Sequence, residues 1–227
     1  MTVPAARGGL VALFGATFLE LCGLFMYGPL LLFTLKDRGL DTATVGLFSA
    51  AQWLGMALAT PFTARWVRRL GARRALLASA AVPCAAFVLM NLIDRIAVWA
   101  VLYLLAGVAG ALRWIVAEAM VAELAPAARR GRIVGLFETM VGLTFVIGPG
   151  LLSLLTSAGV AAPTIRWTAT ALMGSALLLS VRVPALHSHH ADDGARLGLH
   201  GIVDALRAAP VVMVAGLVGG FFEAGLA

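Results

Sequence analysis

Long apolar runs separated by short polar loops dominate the chain. A bilayer-spanning helix needs roughly 20 apolar residues, and six runs of about this length lie between residues 9 and 181, with a seventh from about Ala208 to Ala227. Strands of a membrane barrel would be about 10 residues long with alternating polarity. The pattern therefore predicts an all-α integral membrane protein. Its first six helices are expected at Gly9–Leu35, Val45–Trp66, Ala75–Leu92, Ala97–Ala122, Ile133–Leu155 and Pro163–Val181.

The composition excludes a soluble globular protein. Of the 227 residues, 61% are hydrophobic and only 12% are charged, whereas a soluble chain is about a quarter charged. Cys22 and Cys84 both lie inside apolar runs, so a disulfide framework is not expected. Arg7 precedes an apolar run too long for a cleavable signal peptide, so the first helix is expected to stay in the membrane.

The net charge of +6 reflects membrane orientation. The basic residues lie in short loops, not on the water-facing surface that nucleic acid would need, so no nucleic-acid partner is expected. Alternate loops hold 12 Lys and Arg residues on one side and 4 on the other. The positive-inside rule then places the amino terminus in the cytoplasm. The 16 Arg residues against one Lys are typical of a GC-rich bacterial genome, which favours a bacterial inner membrane.

Three segments follow from this pattern. Residues 1–181 form the predicted six-helix bundle, and residues 182–207, the only long polar stretch, form a cytoplasmic linker. Residues 208–227 form a seventh helix without a bundle of its own. We therefore expect it to be the truncated start of a second bundle.

Charged residues within the apolar runs are the strongest functional signal, since each costs about 2.5 to 3.5 kcal/mol at the helix centre. Glu20 lies near the middle of the first helix and Arg113 near the middle of the fourth, at depths that differ by roughly 1.5 Å. Tyr27 shares the small-residue face of Glu20. Two interpretations remain open: a proton-binding carboxylate with a counter-charge or substrate anchor, or a buried structural pair.

Three further glutamates occupy the apolar runs. Glu223 shares a face with Gly216, Gly219 and Gly220 in the seventh helix, which predicts either a cavity wall or close packing. Glu118 and Glu138 lie at similar cytoplasmic depth, near the basic loops. We predict that they form an ion-pair network with those arginines.

The linker contains the candidate metal ligands. His187, His189 and His190 precede Asp192 and Asp193, and imidazole binds zinc, copper and nickel. A solvated linker is the favoured interpretation, so no metal site or cofactor is expected. The helices contain no histidine to serve a buried serine nucleophile, and nucleotide-binding fingerprints are absent, so an enzyme is not expected.

The loop after the second helix carries a basic, glycine-centred pattern. Gly71 is flanked by basic residues, and the segment resembles the signature between helices two and three of the major facilitator superfamily. The acidic position of that signature holds Arg68, and its leading glycine is replaced by Ala64. Glu118 or Glu138 is the candidate acidic replacement. The matching residues are Arg69, Gly71, Arg73 and Arg74.

The fifth helix carries a second resemblance. Gly148-Pro149-Gly150, with Gly142 upstream, is similar to the glycine–proline signature of proton-coupled antiporters of the same superfamily. The Arg130-Gly131-Arg132 loop adds to the likeness.

The resemblance implies that helices one to three and four to six are inverted repeats. Helices one and four would then line a cavity that holds Glu20 and Arg113, and helix seven would place Glu223 on the opposite wall. Because members of the superfamily typically have twelve helices, the chain would need a second six-helix half.

The expected function is secondary transport of a small molecule by alternating access, with protons as the coupling ion and efflux as the direction. One alternative is a six-helix metal transporter or channel that uses the His-rich loop. Another is a non-transporting fragment or assembly partner.

Overall fold

A computed structural model describes residues 3–185 as six α-helices and one short 3₁₀ turn. The predicted seventh helix and residues 186–207 of the predicted linker lie outside the described residues. The six helices confirm the all-α prediction and reach beyond the apolar runs at most ends, because polar residues at the membrane surface continue the same backbone hydrogen bonding. They are α1 (Val3–Asp37), α2 (Thr42–Leu70), α3 (Ala72–Leu92), α4 (Ile96–Leu124), α5 (Arg130–Ser157) and α6 (Ala162–Ser180), with the 3₁₀ turn at Ala127–Arg129.

Five of the helices, α1 to α5, are long and apolar enough to cross a bilayer by length and composition. The hydrophobic pattern predicted α6 as a sixth span, but α6 does not reach the same apolarity. Arg166 and several hydroxyl-bearing residues lower its hydropathy. Two of the hydroxyl residues, Thr170 and Ser180, are buried within the bundle.

The first and fourth helices each pack mainly against helices from the other half of the bundle. α1 contacts α5 and α6 extensively, and α4 contacts α2 and α3 extensively, while α1 and α4 contact each other over a smaller area. The first helix of each predicted three-helix repeat thus packs against the second and third helices of the other repeat. This arrangement makes α1 and α4 the two central helices of the bundle.

Glycines allow α2 and α4 to cross with their backbones in contact. A Cβ atom at Gly107 would overlap the backbone carbonyl of Gln52, and one at Gly55 would overlap that of Leu104. Ala59, one turn beyond Gly55, is also buried. This small-residue face of α2 is therefore a close helix contact, as expected where small side chains permit helices to approach in a membrane.

α1 makes two close crossings of the same kind. An ideal Cβ at Gly23 would lie 2.7 Å from the carbonyl oxygen of Ala169 on α6. One at Gly148 on α5 would lie 2.6 Å from the Cβ of Phe25. The two crossings lie within one turn of each other on α1, so the middle of this helix is clamped between α5 and α6.

At the end of the bundle where α1 ends, an ion pair connects two of the loops. Arg38 forms an ion pair with Asp94 at 2.6 Å, and its guanidinium lies 4.6 Å from the centre of the Trp99 ring. Asp41 caps α2 by accepting a hydrogen bond from the backbone N–H of Thr44 at 2.9 Å. This bond and a second from the Thr44 hydroxyl hold the pKa of the Asp41 carboxyl below its usual value.

At the opposite end of the bundle, where α1 begins, Arg73 connects α3 to the backbone just after α6 through two hydrogen bonds. Its Nε donates to the carbonyl of Val183 at 3.2 Å and its Nη2 to that of Val181 at 3.0 Å. These carbonyls follow the last turn of α6, where helical partners are missing. Gly71, with φ of +79°, makes the turn that separates α2 from α3 and so positions Arg73.

We expect Gly107→Ala to destabilise the bundle by at least about 1 kcal/mol, because the new methyl group must push α2 and α4 apart. Gly110 on the same helix has no neighbour within 4 Å of its ideal Cβ. Gly110→Ala is the matched control and should be neutral or stabilising, since Ala is favoured over Gly in helices by about 1 kcal/mol. Thermal unfolding in detergent micelles measures both; equal effects would contradict the close crossing.

Arg73→Gln should lower the free energy of unfolding by about 1 kcal/mol, since it removes two charge-assisted hydrogen bonds at a partly exposed site. Arg74 is exposed and makes no hydrogen bond or ion pair within the described residues. Arg74→Gln should therefore change stability by less than about 0.5 kcal/mol. The same unfolding measurement compares the two, and similar losses would show that Arg73 does not hold α6.

Candidate functional site

A buried ion pair joins the two central helices. Arg113 Nε on α4 lies 3.0 Å from Glu20 Oε2 on α1. Only 6% of Glu20 and 5% of Arg113 are exposed. The structure thus brings together the two residues whose depths along the sequence were matched.

Two hydroxyl groups complete the surroundings of Arg113. Its Nη1 donates to Ser180 Oγ on α6 at 3.3 Å, and its Nη2 donates to Thr17 Oγ1 on α1 at 3.4 Å. The sequence interpretation missed both residues. Thr17 had a detectable signal, because it lies three residues before Glu20 and so on the same helix face. Ser180 had none, because its approach to α4 depends on how α6 packs.

The pair is held mainly by charge. Although Nε and Oε2 are close, the N–H is not aligned with the oxygen, and neither atom has a hydrogen-bond partner. Arg113 keeps its charge under all ordinary conditions, whereas a carboxylate can take up a proton. The only member of this pair that can change its charge is therefore Glu20.

The pair lies near the boundary between two apolar clusters. Along α1 one cluster includes Leu13 and Leu21, and the other begins at Met26. With apolar packing on both sides, each charge depends on the other, since removing one partner of a buried pair typically costs about 3 to 5 kcal/mol. The arrangement can serve as a protonation site or as a structural pair, the two interpretations that the sequence left open.

Tyr27 belongs to a different polar cluster. It lies seven residues beyond Glu20, about 10 Å along the helix axis. Its hydroxyl donates to Asn91 Oδ1 at 2.8 Å, and Asn91 Nδ2 donates to Thr170 Oγ1 at 2.9 Å. The Tyr27 ring also stacks on Phe87, with 4.2 Å between the ring centres. Tyr27 therefore ties α1 to α3 and α6 and is not in contact with the Glu20–Arg113 pair.

The predicted ion pairs between Glu118, Glu138 and the basic loops are not formed in the described bundle. Glu118 and Glu138 are both exposed, and within residues 3–185 neither forms an ion pair with an arginine. They are instead each other's charged neighbours, on adjacent helices. Of the basic loop residues, Arg73 binds backbone carbonyls, while Arg68 and Arg69 end α2 and the exposed Arg130 begins α5.

The glycine–proline segment of α5 lies inside one continuous helix with Pro149 in its interior. Gly148 is the residue that packs against α1, whereas Gly142 and Gly150 have open space where a side chain would be. Of these three glycines, Gly148 is therefore the one that packs closely against another helix.

The remaining candidates lie outside the described residues. These are Glu223 with its glycine stripe and the His187, His189, His190, Asp192 and Asp193 cluster. Within the described part of the chain, no group of three or more His, Cys, Asp or Glu residues could hold a metal ion.

Comparison with known sequences gives a family and one distant relative. The sequence pattern of the Major Facilitator Superfamily matches residues 13–227. The chain is also 22% identical over 165 residues to "Multidrug resistance protein 2" of Bacillus subtilis (strain 168), covering 73% of this chain and 41% of that protein.

Solved structures share the fold. A crystal structure of the human organic anion transporter MFSD10 (TETRAN) matches with a TM-score of 0.64 and 19% identity, over 79% of this chain and 48% of that one. A peptide transporter, POT, in complex with sulfate matches with a TM-score of 0.66 and 16% identity, over 96% of this chain and 46% of that one.

The chain thus spans about two fifths to one half of the length of these proteins. Its described helices correspond to half of the superfamily fold, and the family match covers nearly all of the sequence. The chain belongs to the major facilitator superfamily and is a multi-pass membrane protein.

Proposed function

We propose that this chain forms the amino-terminal half of a secondary transporter that exports a small molecule in exchange for protons. The observation that carries the proposal is the buried Glu20–Arg113 pair between the two central helices. The distant likeness to a multidrug resistance protein supports the direction of transport. The Gly148-Pro149-Gly150 resemblance supports antiport.

Glu20 is the proton-binding group in this proposal. It is the only buried carboxylate among the residues whose exposure the structure describes. When Glu20 is ionised, its charge holds Arg113 at the junction of α1, α4 and α6. When it takes up a proton, Arg113 loses its counter-charge, and the energetic balance of this junction changes by an amount comparable to breaking a buried ion pair.

This change can favour one of two bundle arrangements. In alternating access, one bundle rocks against the other around a site near the midplane of the membrane. Because α1 and α4 both contribute to the charged pair and both contact several other helices, a change in the pair is transmitted to the whole half. Proton binding and substrate binding then compete for the same charged centre.

The proposal places the amino terminus in the cytoplasm of a bacterial cell. The α2–α3 loop, with Arg68, Arg69, Arg73 and Arg74, then faces the cytoplasm, as does the predicted linker of residues 182–207. The partners are the small-molecule substrate, protons and the lipid bilayer.

A second six-helix half completes the transporter. In the described half, α2 and α5 carry large exposed apolar side chains, which a second bundle or lipid would cover. The predicted seventh helix, at residues 208–227 with Glu223, would begin that second half. The exposed large apolar residues are Leu47, Trp53, Leu54, Leu58, Phe62 and Leu70 on α2, and Leu136, Leu143, Val146 and Leu154 on α5.

We expect Glu20→Gln in the complete transporter to abolish proton-driven transport while leaving the protein folded, because glutamine fills the same space but cannot bind a proton reversibly. Ethidium movement into proteoliposomes under an imposed pH gradient is the measurement. Glu123→Gln, at an exposed carboxylate of α4, is the matched control and should retain the activity. Unchanged gradient-driven transport by Glu20→Gln would remove Glu20 from the coupling mechanism.

We also expect residues 1–227 alone to move no protons when ethidium is added, because alternating access requires two bundles. A version that continues into a second six-helix half should restore the flux in the same proteoliposomes. Transport by the 227-residue chain alone would mean that two copies assemble into the two-bundle unit.

A further inference from the structure

A buried arginine must remain bound when its carboxylate partner becomes neutral. Arg113 is 5% exposed and cannot lose its own proton. If Glu20 binds a proton, the charge of Arg113 remains within apolar packing without a counter-charge. Neutral oxygen atoms that accept hydrogen bonds are the groups that can then stabilise it.

Two such oxygen atoms, on two different helices of the described bundle, accept hydrogen bonds from Arg113. Thr17 Oγ1 and Ser180 Oγ accept hydrogen bonds from the two terminal nitrogens of Arg113, at 3.4 and 3.3 Å. Both residues are buried: Thr17 is 5% exposed and Ser180 has no exposed surface. The terminal nitrogens are thus bound by hydroxyl groups, while Nε faces Glu20.

The Ser180 hydroxyl is oriented for this role. Its proton is donated to the carbonyl of Ala176 at 2.8 Å, one helical turn earlier. A hydroxyl group has one proton and two lone pairs, so the oxygen of Ser180 is left facing Arg113 only as an acceptor. No rearrangement is needed when Glu20 changes its charge.

The backbone that carries Ser180 is also held in place. The carbonyls of Val181 and Val183, directly after Ser180, accept hydrogen bonds from Arg73. The end of α6 is therefore bound from α4 through Ser180 and from α3 through Arg73.

We propose that Thr17 and Ser180 are positioning residues that keep the Arg113 guanidinium at the junction of α1, α4 and α6 while Glu20 is neutral. The proposal rests on the assignment of Glu20 as the proton-binding group. It extends the coupling site from the pair on α1 and α4 to a third helix, α6. Thr17 and Ser180 act through Arg113 and contact neither the proton nor the substrate in this scheme.

A double-mutant cycle tests the proposal without transport. Ser180→Ala is introduced into the wild type and into Glu20→Gln, whose side chain is permanently neutral, and the melting temperature of the purified chain is measured in lipid nanodiscs. Contacting residues in one network typically couple by about 0.5 to 3 kcal/mol. Ser180→Ala should therefore lower the melting temperature by about 2 to 4 °C more in the Glu20→Gln background.

Ser175 provides a matched control on the same helix. Its hydroxyl donates to the carbonyl of Ala171 at 2.9 Å, as that of Ser180 does to Ala176, but Ser175 is exposed and does not contact Arg113. Ser175→Ala should have the same effect in both backgrounds. At Thr17, the hydroxyl-retaining Thr17→Ser should behave like wild type in the Glu20→Gln background, whereas the equally sized Thr17→Val should not.

Additive effects of Ser180→Ala and Glu20→Gln, within about 1 °C, would overturn the proposal. Equal behaviour of Thr17→Ser and Thr17→Val would do so as well. If Glu20→Gln does not yield folded protein, Glu20→Met supplies the neutral side chain in the same cycle. Because the cycle needs no substrate, its failure is separate from a failure of proton coupling, which the pH-gradient experiment on Glu20→Gln measures.

Discussion

The attraction between Glu20 and Arg113 joins the two central helices of the bundle. α1 and α4 pack mainly against other helices and contact each other over a smaller area. Since a charge within apolar packing is costly unless it is paired or hydrogen-bonded, the two buried charges stabilise each other at this point. Their 3.0 Å approach fixes the relative depth of α1 and α4. It also brings Thr17 and Ser180 into the same junction.

Close backbone packing makes this junction possible. In a bilayer the hydrophobic effect does not drive helices together, so van der Waals contact between small residues carries much of the association. Gly55 and Gly107 permit the α2–α4 crossing, and Gly23 and Gly148 permit α1 to contact α6 and α5. These crossings place each central helix among the helices of the opposite repeat. A movement of either central helix therefore changes its contacts with helices throughout the six-helix bundle.

The basic loop between α2 and α3 has different partners from those that charge alone predicted. Complementary charges at similar depth predicted ion pairs with Glu118 and Glu138, but both carboxylates point to the exposed side of their helices. Arg73 binds backbone carbonyls at the end of α6 instead. The unpaired carbonyls of a helix end attract cations as a carboxylate does. A basic residue near a helix end thus has two kinds of partner, and sequence alone does not show which one is nearer.

The sequence by itself determined the elements and the class of the molecule. Helix positions and the shared depth of Glu20 and Arg113 follow from apolar run length and the fixed rise of a helix, which are local properties. The tertiary structure alone decided which faces meet. The bond of Tyr27 to Asn91, the exposure of Glu118 and Glu138 and the approach of Ser180 to Arg113 all depend on how the helices rotate and cross. Rotation and crossing are set by contacts between residues far apart in the chain, such as Gly107 with Gln52, and helical periodicity carries no information about those contacts.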